Sequence, residues 1–297
     1  MFSVVIPLYN KELSIKETVY SVLNQTFKHF EIIIVNDGST DNSLNVVNKI
    51  DDPRIKIVDK KNGGVSSARN IGIREASHEW VTFLDGDDLW ELNHLEEYSI
   101  TIQSNNKLNW LLSGYKAVNA KKEFINIYKK EGALHNVFDD LLNGLKIHTS
   151  TVCVKRELFA NNSELYFKEG INNSEDREVW YKLCALDNNP YYVMKSLSIY
   201  KLDDVNSLTK IQTADHFLKL FDRIQVSTIY ENMNFDDKQK LILHLNNFNS
   251  KAIKGYYLRN TKMKDNYKNY LSSSRWFILN TTINFPNIIK KIISRIC

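Results

Sequence analysis

Apolar and polar positions follow two alternating periods along the first hundred residues. Short, β-branched apolar runs at 3–8, 31–36, 54–59 and 80–85 are typical of strands. Between the first two runs, residues 13–24 carry apolar side chains at helical spacing. Because the run at 31–36 is almost wholly apolar, we expect that strand to be covered on both faces. Strands that alternate with helices predict parallel pairing in an open α/β sheet.

The following hundred residues are less regular and predict a mixed sheet. Further elements are expected as strands near 110–112, 150–154 and 191–199 and as helices near 136–143 and 174–186. From residue 211 onward the apolar stripes are helical. We therefore predict one domain over 1–210, with halves at 1–105 and 106–210, and a helical C-terminal region over 211–297.

Composition and charge narrow the class of protein. Of the 297 residues, 43% are apolar and 25% are charged, which is typical of a soluble chain. A net charge of +4 is too small to argue for nucleic-acid binding. The widely spaced Cys153, Cys184 and Cys297 fit neither a metal-binding pattern nor a closed disulfide framework. With no signal peptide and no run near the roughly 20 apolar residues that span a membrane, we expect a cytoplasmic protein.

Polar side chains follow one predicted strand after another. Tyr9 and Asn10 follow the first strand, and Asp37 follows the second. A lysine–glycine loop at 60–64 follows the third strand, and an acidic stretch at 85–88 follows the fourth. In a parallel sheet these strand ends share one edge, and ligands bind at that edge. We therefore expect the carboxylates to face a common cleft.

The acidic stretch contains Asp85, Gly86 and Asp87, a pattern suited to a hard cation. Two carboxylates on a tight loop can hold Mg²⁺ or Mn²⁺, and the ion in turn binds a diphosphate. Gly86 permits a positive φ or a close backbone approach. The alternative is a solvated acidic turn that caps the next helix, for which Asp88 alone would suffice.

Three other segments each allow a functional and a purely structural interpretation. Asp37 either accepts hydrogen bonds from a nucleotide or caps a helix beside a turn glycine. The loop at 62–70 places two glycines and Arg69 at a helix start, which favours phosphate but also suits a flexible turn. Glu175 and Asp176 either aim a general base into the cleft or form the acidic first turn that a helix dipole favours.

Taken together, these segments resemble family-2 glycosyltransferases of the GT-A fold. The resemblance covers about 1–205 in one register and is carried by VVIPLYN, IIIVNDGSTD, NGGVSSARNIGI, FLDGDDLW and EDREVW. Each motif is weak alone, but five in order are specific. The resemblance implies a Rossmann-like, open, mostly parallel sheet. Its nucleotide-sugar-binding half is expected at 1–105, a mixed acceptor-side half at 106–210, and a helical tail after it.

The resemblance also implies roles for individual residues. The residues expected to contact the donor nucleotide are Pro7, Tyr9, Asn10, Glu12, Asp37, Gly64, Arg69, Asp85 and Gly86. Asp87, with Asp85 nearby, is expected to hold Mn²⁺ or Mg²⁺. Asp176 is the expected catalytic base, with Glu175 and Trp180 on the acceptor side.

One segment departs from the family pattern. After the last strand the family often shows Tyr-Arg-x-His, whereas this chain has Lys201 at the arginine position and Asp203 at the histidine position. Lys201 can still approach a phosphate as a point charge. Asp203 cannot stabilise a leaving diphosphate as a cation does.

The implied function is inverting transfer of a hexose or N-acetylhexosamine from a nucleotide-diphosphate sugar, with UDP as the family's most frequent nucleotide. The expected acceptor is a hydroxyl group of a glycan or of a lipid-linked molecule in O-antigen, capsule or lipopolysaccharide synthesis. The metal would neutralise the leaving diphosphate, and Asp176 would deprotonate the acceptor.

Two alternatives belong to other classes. A nucleotidyltransferase-type enzyme would need a glycine-rich loop directly after the first strand, and PLYNKELS contains no glycine. A catalytically inactive nucleotide-sugar-binding module is the other alternative. The intact Asp85, Asp87 and Asp176 argue against it.

The C-terminal stretch 283–297 allows two interpretations. One helical face is apolar, through Ile288, Ile289, Ile292, Ile293 and Ile296, and beside it lie Lys290, Lys291 and Arg295. Such a basic amphipathic helix can lie on an anionic membrane surface, which would hold the protein at the inner face of the cell membrane. The alternative is a helix docked on its own domain.

Overall fold

The structure, a computed structural model, describes residues 1–171, 174–202 and 214–257. Contacts between residues divide the chain into two units, Met1–Leu208 and Thr209–Cys297. All strands of the described residues belong to the first unit, and the described part of the second unit is helical.

The amino-terminal half of the first unit is a parallel sheet. Its strands are β1 (Phe2–Leu8), β2 (Phe30–Asp37), β3 (Ile55–Lys60) and β4 (Trp80–Phe83), in the order β3-β2-β1-β4. The connecting helices are α1 (Ile15–Leu23), α2 (Ser43–Asn48) and α3 (Val65–Glu75). Each neighbouring pair is parallel, with Val4 opposite Ile32 on one side and Thr82 on the other. The predicted parallel α/β sheet is confirmed.

A mixed half extends the same sheet. Its strands are β5 (Leu89–Trp90), β6 (Trp110–Val118), β7 (Glu123–Asn126), β8 (Gly132–Ala133), β9 (Val152–Lys155) and β10 (Tyr191–Lys201). Its helices are α4 (His94–Ser104), α5 (Val137–Leu142), α6 (Arg156–Asn161) and α7 (Glu175–Leu186). The order continues as β4-β9-β6-β10-β5, with β7 beside β6 and β8 beside β10. Because β9 is antiparallel to β4 and β6 while β10 is parallel to β6, the predicted mixed half is also confirmed.

The strand predicted at 150–154 starts later than expected. Residues Thr149–Thr151 form a 3₁₀ turn, which is closed by a hydrogen bond from Thr151 N to His148 O at 2.9 Å. Only after this turn does β9 begin. The hydroxyl groups of Thr149 and Ser150 donate to carboxylates elsewhere, and such short polar side chains compete with a strand ladder.

Alternation along β1 gives the sheet two covered faces. Val4, Ile6 and Leu8 join a buried apolar cluster that also contains the inner face of α1. Val5 faces α3, where its Cγ1 lies 2.2 Å from the position a Cβ on Gly72 would occupy. The absence of a side chain at Gly72 therefore lets α3 lie directly on β1.

The described part of the second unit consists of α8 (Ala214–Gln225), α9 (Thr228–Glu231) and α10 (Phe235–Tyr257). Leu220 and Leu241 are fully buried there. Within the described ranges, no helix has both the length and the apolar character needed to cross a membrane. The C-terminal stretch 283–297 and Asp203 lie outside the described residues.

Candidate active site

The loops after β1 and β2 meet at the carboxyl edge of the parallel strands. Asn10, with a φ of 51°, accepts a hydrogen bond from Thr40 N at 2.8 Å and donates its backbone N–H to Ser39 Oγ at 3.1 Å. Asparagine is one of the few residues that adopt this left-handed conformation readily. The Glu12 carboxylate accepts a hydrogen bond from Asn42 N at 2.9 Å. Two of the predicted donor-binding residues thus hold the second loop in place.

Asp37 closes the glycine loop that leads into α3. Its side chain is buried, with the residue 2% exposed, and it pairs with Lys60. Its carboxylate also accepts hydrogen bonds from Gly63 N and Gly64 N, both at 2.8 Å. Gly64 has a φ of 89°, which favours glycine. The predicted contact between Asp37 and a nucleotide stays a prediction, since these internal partners engage both oxygens.

Arg69 contacts residues from both the parallel half and the mixed half of the first unit. Its side chain, 5% exposed, comes from α3 and donates to Asp85 Oδ1 at 2.8 Å and to Glu175 Oε1 at 3.0 Å. The planar guanidinium can bind two carboxylates at once. Arg69 therefore ties the acidic loop after β4 to the first residue of α7.

Burial and charge oppose each other in this triad. Burial disfavours the ionised form of Asp85, but the Arg69 guanidinium outweighs burial and lowers the pKa of that carboxyl below its usual value. For Glu175, burial and the neighbouring charge of Asp176 raise the pKa despite the arginine. The same guanidinium thus lowers the pKa of Asp85 but does not offset the effect of burial on the pKa of Glu175.

Gly86 and Asp87 lie against the loop that joins β1 to α1. A Cβ on Gly86 would lie 3.0 Å from the carbonyl oxygen of the buried Pro7, so a side chain there would crowd the loop. Asp87 Oδ2 pairs with Lys11 Nζ at 2.6 Å, and both side chains are largely buried. Tyr9, also a predicted donor-binding residue, is exposed at this edge.

Asp88 is a buried acid rather than part of a solvated turn. The residue is 1% exposed, and its carboxylate accepts hydrogen bonds from Ser150 Oγ at 2.7 Å and from Lys201 N at 3.3 Å. Burial, and after it the charges of the two nearby aspartates, raise the pKa of Asp88 well above its usual value.

Asp176 lies partly exposed in the first turn of α7. Its Oδ2 accepts a hydrogen bond from Thr149 Oγ1 at 3.2 Å, and its Oδ1 accepts one from Arg177 N at 2.8 Å. Trp180, which is 1% exposed, donates its indole N–H to the same Thr149 hydroxyl at 3.3 Å. Trp180 thus supports the predicted base from behind.

Sequence reasoning missed several residues that complete this arrangement. Lys11 directly follows the motif VVIPLYN, yet nothing in the sequence links it to Asp87. The turn residues Thr149 and Ser150 were assigned to a strand or left unremarked, although a run of hydroxyl residues before an apolar strand was a weak signal. His148 precedes them and packs at a tilt against two tyrosine rings at centroid distances of 4.8 and 4.9 Å.

The chain offers a divalent cation few ligands of its own. In the part of the chain that the structure describes, no group of three metal-ligating side chains is present. Asp87 provides one carboxylate, while Arg69 engages Asp85. Mg²⁺ and Mn²⁺ are commonly bound by one or two carboxylates together with substrate phosphates and water. The residues therefore fit a cation that binds together with a diphosphate.

Sequence comparison relates this chain to glycosyltransferases. Residues 3–143 match the family described as glycosyl transferase family 2. The chain is 30% identical over 191 residues, 64% of this chain and 71% of the relative, to the UDP-Glc:alpha-D-GlcNAc-diphosphoundecaprenol beta-1,3-glucosyltransferase WfgD of Escherichia coli. It is 34% identical over 184 residues to an uncharacterized glycosyltransferase of Rickettsia bellii, a match covering 62% of this chain and 26% of that protein. The chain spans less than a third of the length of this and two similar Rickettsia relatives.

Comparison of structures identifies the fold. The crystal structure of S. aureus TarS 1-349 in complex with UDP aligns with a TM-score of 0.69 at 23% identity, over 90% of this chain and 76% of that one. Mannosyltransferase PcManGT from Pyrobaculum calidifontis, in complex with GDP-Man and Mn²⁺, aligns with a TM-score of 0.60 at 16% identity, over 94% of this chain and 78% of that one. Identities this low carry the chain arrangement alone.

Proposed function

The chain belongs to glycosyl transferase family 2 and has the GT-A fold, and we propose that it is an inverting glycosyltransferase. It moves a hexose or N-acetylhexosamine from a nucleotide-diphosphate sugar, with UDP as the preferred nucleotide, to a hydroxyl group of a glycan or lipid-linked acceptor. The product belongs to a surface polysaccharide such as O-antigen, capsule or lipopolysaccharide. The donor and acceptor named for WfgD and the UDP bound to TarS support this proposal.

One observation carries the proposal. Arg69 binds the acidic loop after β4 and the start of α7 with the same guanidinium, through Asp85 and Glu175. Two residues expected to bind the donor, Arg69 and Asp85, are therefore joined to the first turn of α7, which also carries Asp176. A scattered arrangement would not support transfer between two bound substrates.

In the proposed reaction, Asp176 accepts the proton of the acceptor hydroxyl as that oxygen attacks the anomeric carbon of the donor sugar. The carboxylate is partly exposed and so is open to an acceptor. The attack comes from the face opposite the leaving diphosphate, which inverts the configuration. Asp85, held ionised by Arg69, contacts the ribose.

Asp87 is the residue that would hold Mn²⁺ or Mg²⁺ together with the diphosphate. When bound, the ion supplies Lewis-acid neutralisation of the charge that develops on the leaving group. The Mn²⁺ and GDP-Man bound to PcManGT support the use of a divalent cation, whereas the choice of Asp87 comes from the family resemblance. In this proposal Lys11, which pairs with Asp87 at 2.6 Å, would exchange that carboxylate for a phosphate oxygen.

The proposed location is the cytoplasmic side of the membrane. A lipid-linked acceptor, as in the name of WfgD, would bring the reaction to the inner face of the cell membrane. The basic amphipathic stretch 283–297 would then hold the protein peripherally at anionic lipid.

We expect Asp176→Asn to lower catalysis by about 10²- to 10⁴-fold, because the amide cannot accept the acceptor proton. The purified protein is incubated with Mn²⁺ and a panel of UDP-sugars, and release of UDP is measured with and without glycan acceptors. Calorimetry then measures donor affinity, which is expected to be nearly unchanged. Asp51→Asn removes an exposed carboxylate remote from the site's contacts and serves as the matched control.

Lost donor affinity in Asp176→Asn would reject the assignment of the base. Metal-dependent UDP binding by the unaltered protein, without turnover of any donor, would instead favour the inactive binding module.

A further inference from the structure

The 3₁₀ turn Thr149–Thr151 touches both acidic parts of the site through consecutive hydroxyl groups. Ser150 Oγ donates to Asp88 Oδ2 at 2.7 Å, in the loop after β4. Thr149 Oγ1 lies 3.2 Å from Asp176 Oδ2, in the first turn of α7. One short turn therefore spans the gap between the donor-side acids and the proposed base.

The direction of the hydrogen bonds at Thr149 follows from chemistry. The indole N–H of Trp180 can only donate, so the Thr149 oxygen accepts its hydrogen bond. The Thr149 hydroxyl in turn donates to Oδ2 of Asp176, which as the proposed base is the acceptor. The relay from indole to hydroxyl to carboxylate thus has a single orientation.

The inner members of this relay are rigidly held. Thr149 is 2% exposed, and Trp180 packs against the rings of Phe83 and Phe167 at centroid distances of 5.5 and 5.6 Å. Of the three relay members, Asp176 alone is more than marginally exposed. The Asp176 carboxylate is therefore the exposed end of a buried chain of hydrogen bonds, and this chain restrains its rotation.

We infer that Thr149 is a positioning residue for Asp176 and that the turn Thr149–Thr151 sets the base against the donor-side loop. This inference rests on the proposed function, since it requires Asp176 to be the general base. Thr149 touches no substrate in this scheme and acts through the orientation of the carboxylate. Small misplacements of a catalytic group cost rate more than they cost binding.

The test measures Mn²⁺-dependent hydrolysis of the UDP-sugar that the panel identifies, with water as acceptor. Thr149→Val should lower kcat by about ten- to a hundredfold with little change in the donor KM, because the hydroxyl is lost while the shape is kept. Thr149→Ser restores the hydroxyl and should recover most of that loss. In an Asp176→Asn background, Thr149→Val should cause no further loss, because it acts through Asp176.

The neighbouring hydroxyl provides the contrast. Ser150→Ala removes a hydroxyl that accepts from Asp85 N at 3.3 Å and donates to Asp88. Because Asp85 is expected to bind the donor, this variant should act chiefly on the donor KM, whereas Thr149→Val acts on kcat. If Thr149→Val does not fold, Thr149→Ala makes the same comparison with a smaller side chain.

Two results would overturn the inference. One is a kcat for Thr149→Val equal to that of the unaltered protein. The other is a similar fall in kcat and rise in KM in both Thr149→Val and Ser150→Ala, which would indicate a turn with a structural role alone. If Asp176→Asn remained active, Asp176 would not be the base. That result would contradict the proposed function and not the positioning role alone. An inactive Asp176→Asn beside a fully active Thr149→Val would refute the positioning role alone.

Discussion

At the scale of single residues, two acidic groups of the site are paired with cationic side chains. Asp85 is bound by Arg69 and Asp87 by Lys11, so crowded carboxylates are tolerated without any added ion. Burial makes such pairs matter, because an unpaired buried charge is costly. A divalent cation that binds Asp87 must therefore compete with the Lys11 ammonium group.

We expect Lys11→Met to bind Mn²⁺ in the absence of nucleotide about fivefold more tightly than the unaltered protein, equivalent to about 1 kcal/mol. The methionine keeps an apolar stem of similar length but no longer competes for the carboxylate of Asp87. Calorimetric titration with Mn²⁺ alone measures the difference.

Lys16→Met makes the same charge change at an exposed position of α1 and is the matched control. Adding Asp87→Asn to Lys11→Met should abolish the gain in affinity. If the gain in Mn²⁺ affinity persisted in the double variant, or if Lys11→Met showed no gain, the Lys11 ammonium group would not compete with Mn²⁺ for Asp87.

At the scale of elements, the position of α3 decides where Arg69 lies. The helix begins at the glycine loop that Asp37 closes, and it rests on β1 through the bare backbone at Gly72. A Cβ at Gly72 would meet Val5 Cγ1 at 2.2 Å, far inside contact distance. The close packing of α3 is therefore specified by a glycine that needs no unusual φ.

We predict that Gly72→Ala lowers the free energy of unfolding by about 1–3 kcal/mol, because the added methyl group forces α3 away from β1. Chemical denaturation measures the change. Val5→Ala opens space at the contact point, so the double variant should lose less stability than the sum of the two single losses. Strict additivity would mean that the crowding at this contact does not limit the packing of α3.

At the scale of the whole molecule, the named site residues all belong to the unit Met1–Leu208. The predicted domain boundary at 210 stays a prediction, as do the roles of the halves. The basic C-terminal stretch belongs to the other unit, so nucleotide binding and membrane attachment are separable in this proposal.

We expect a fragment of residues 1–208 to unfold cooperatively and to bind UDP with Mn²⁺ as tightly as the full chain.

Deleting 283–297 should abolish sedimentation of the protein with anionic phospholipid vesicles, because the basic apolar face is lost. Vesicle sedimentation measures the effect of the deletion, and calorimetry measures the affinity of the fragment for UDP. A full chain that never sediments with the vesicles would contradict the membrane proposal, and weak UDP binding by the fragment would contradict separability.

The sequence alone determined what depends on local pattern. Alternating apolar runs and helical stripes predicted the parallel half, and the motifs around Asp85 and Asp176 indicated the family. Near 150–154 local pattern was insufficient, because β-branched and hydroxyl residues there suit both a strand and a turn. Tertiary hydrogen bonds from Thr149 and Ser150 decided in favour of the turn.

Only the tertiary structure decided which charged groups are partners. Lys11 meets Asp87 across 76 residues of chain, and Arg69 meets Glu175 across 106. Periodicity reports which face of an element is buried, whereas an ion pair depends on how distant elements pack. The acids could therefore be assigned to one edge from the sequence, but their counter-ions and the support of the base could not.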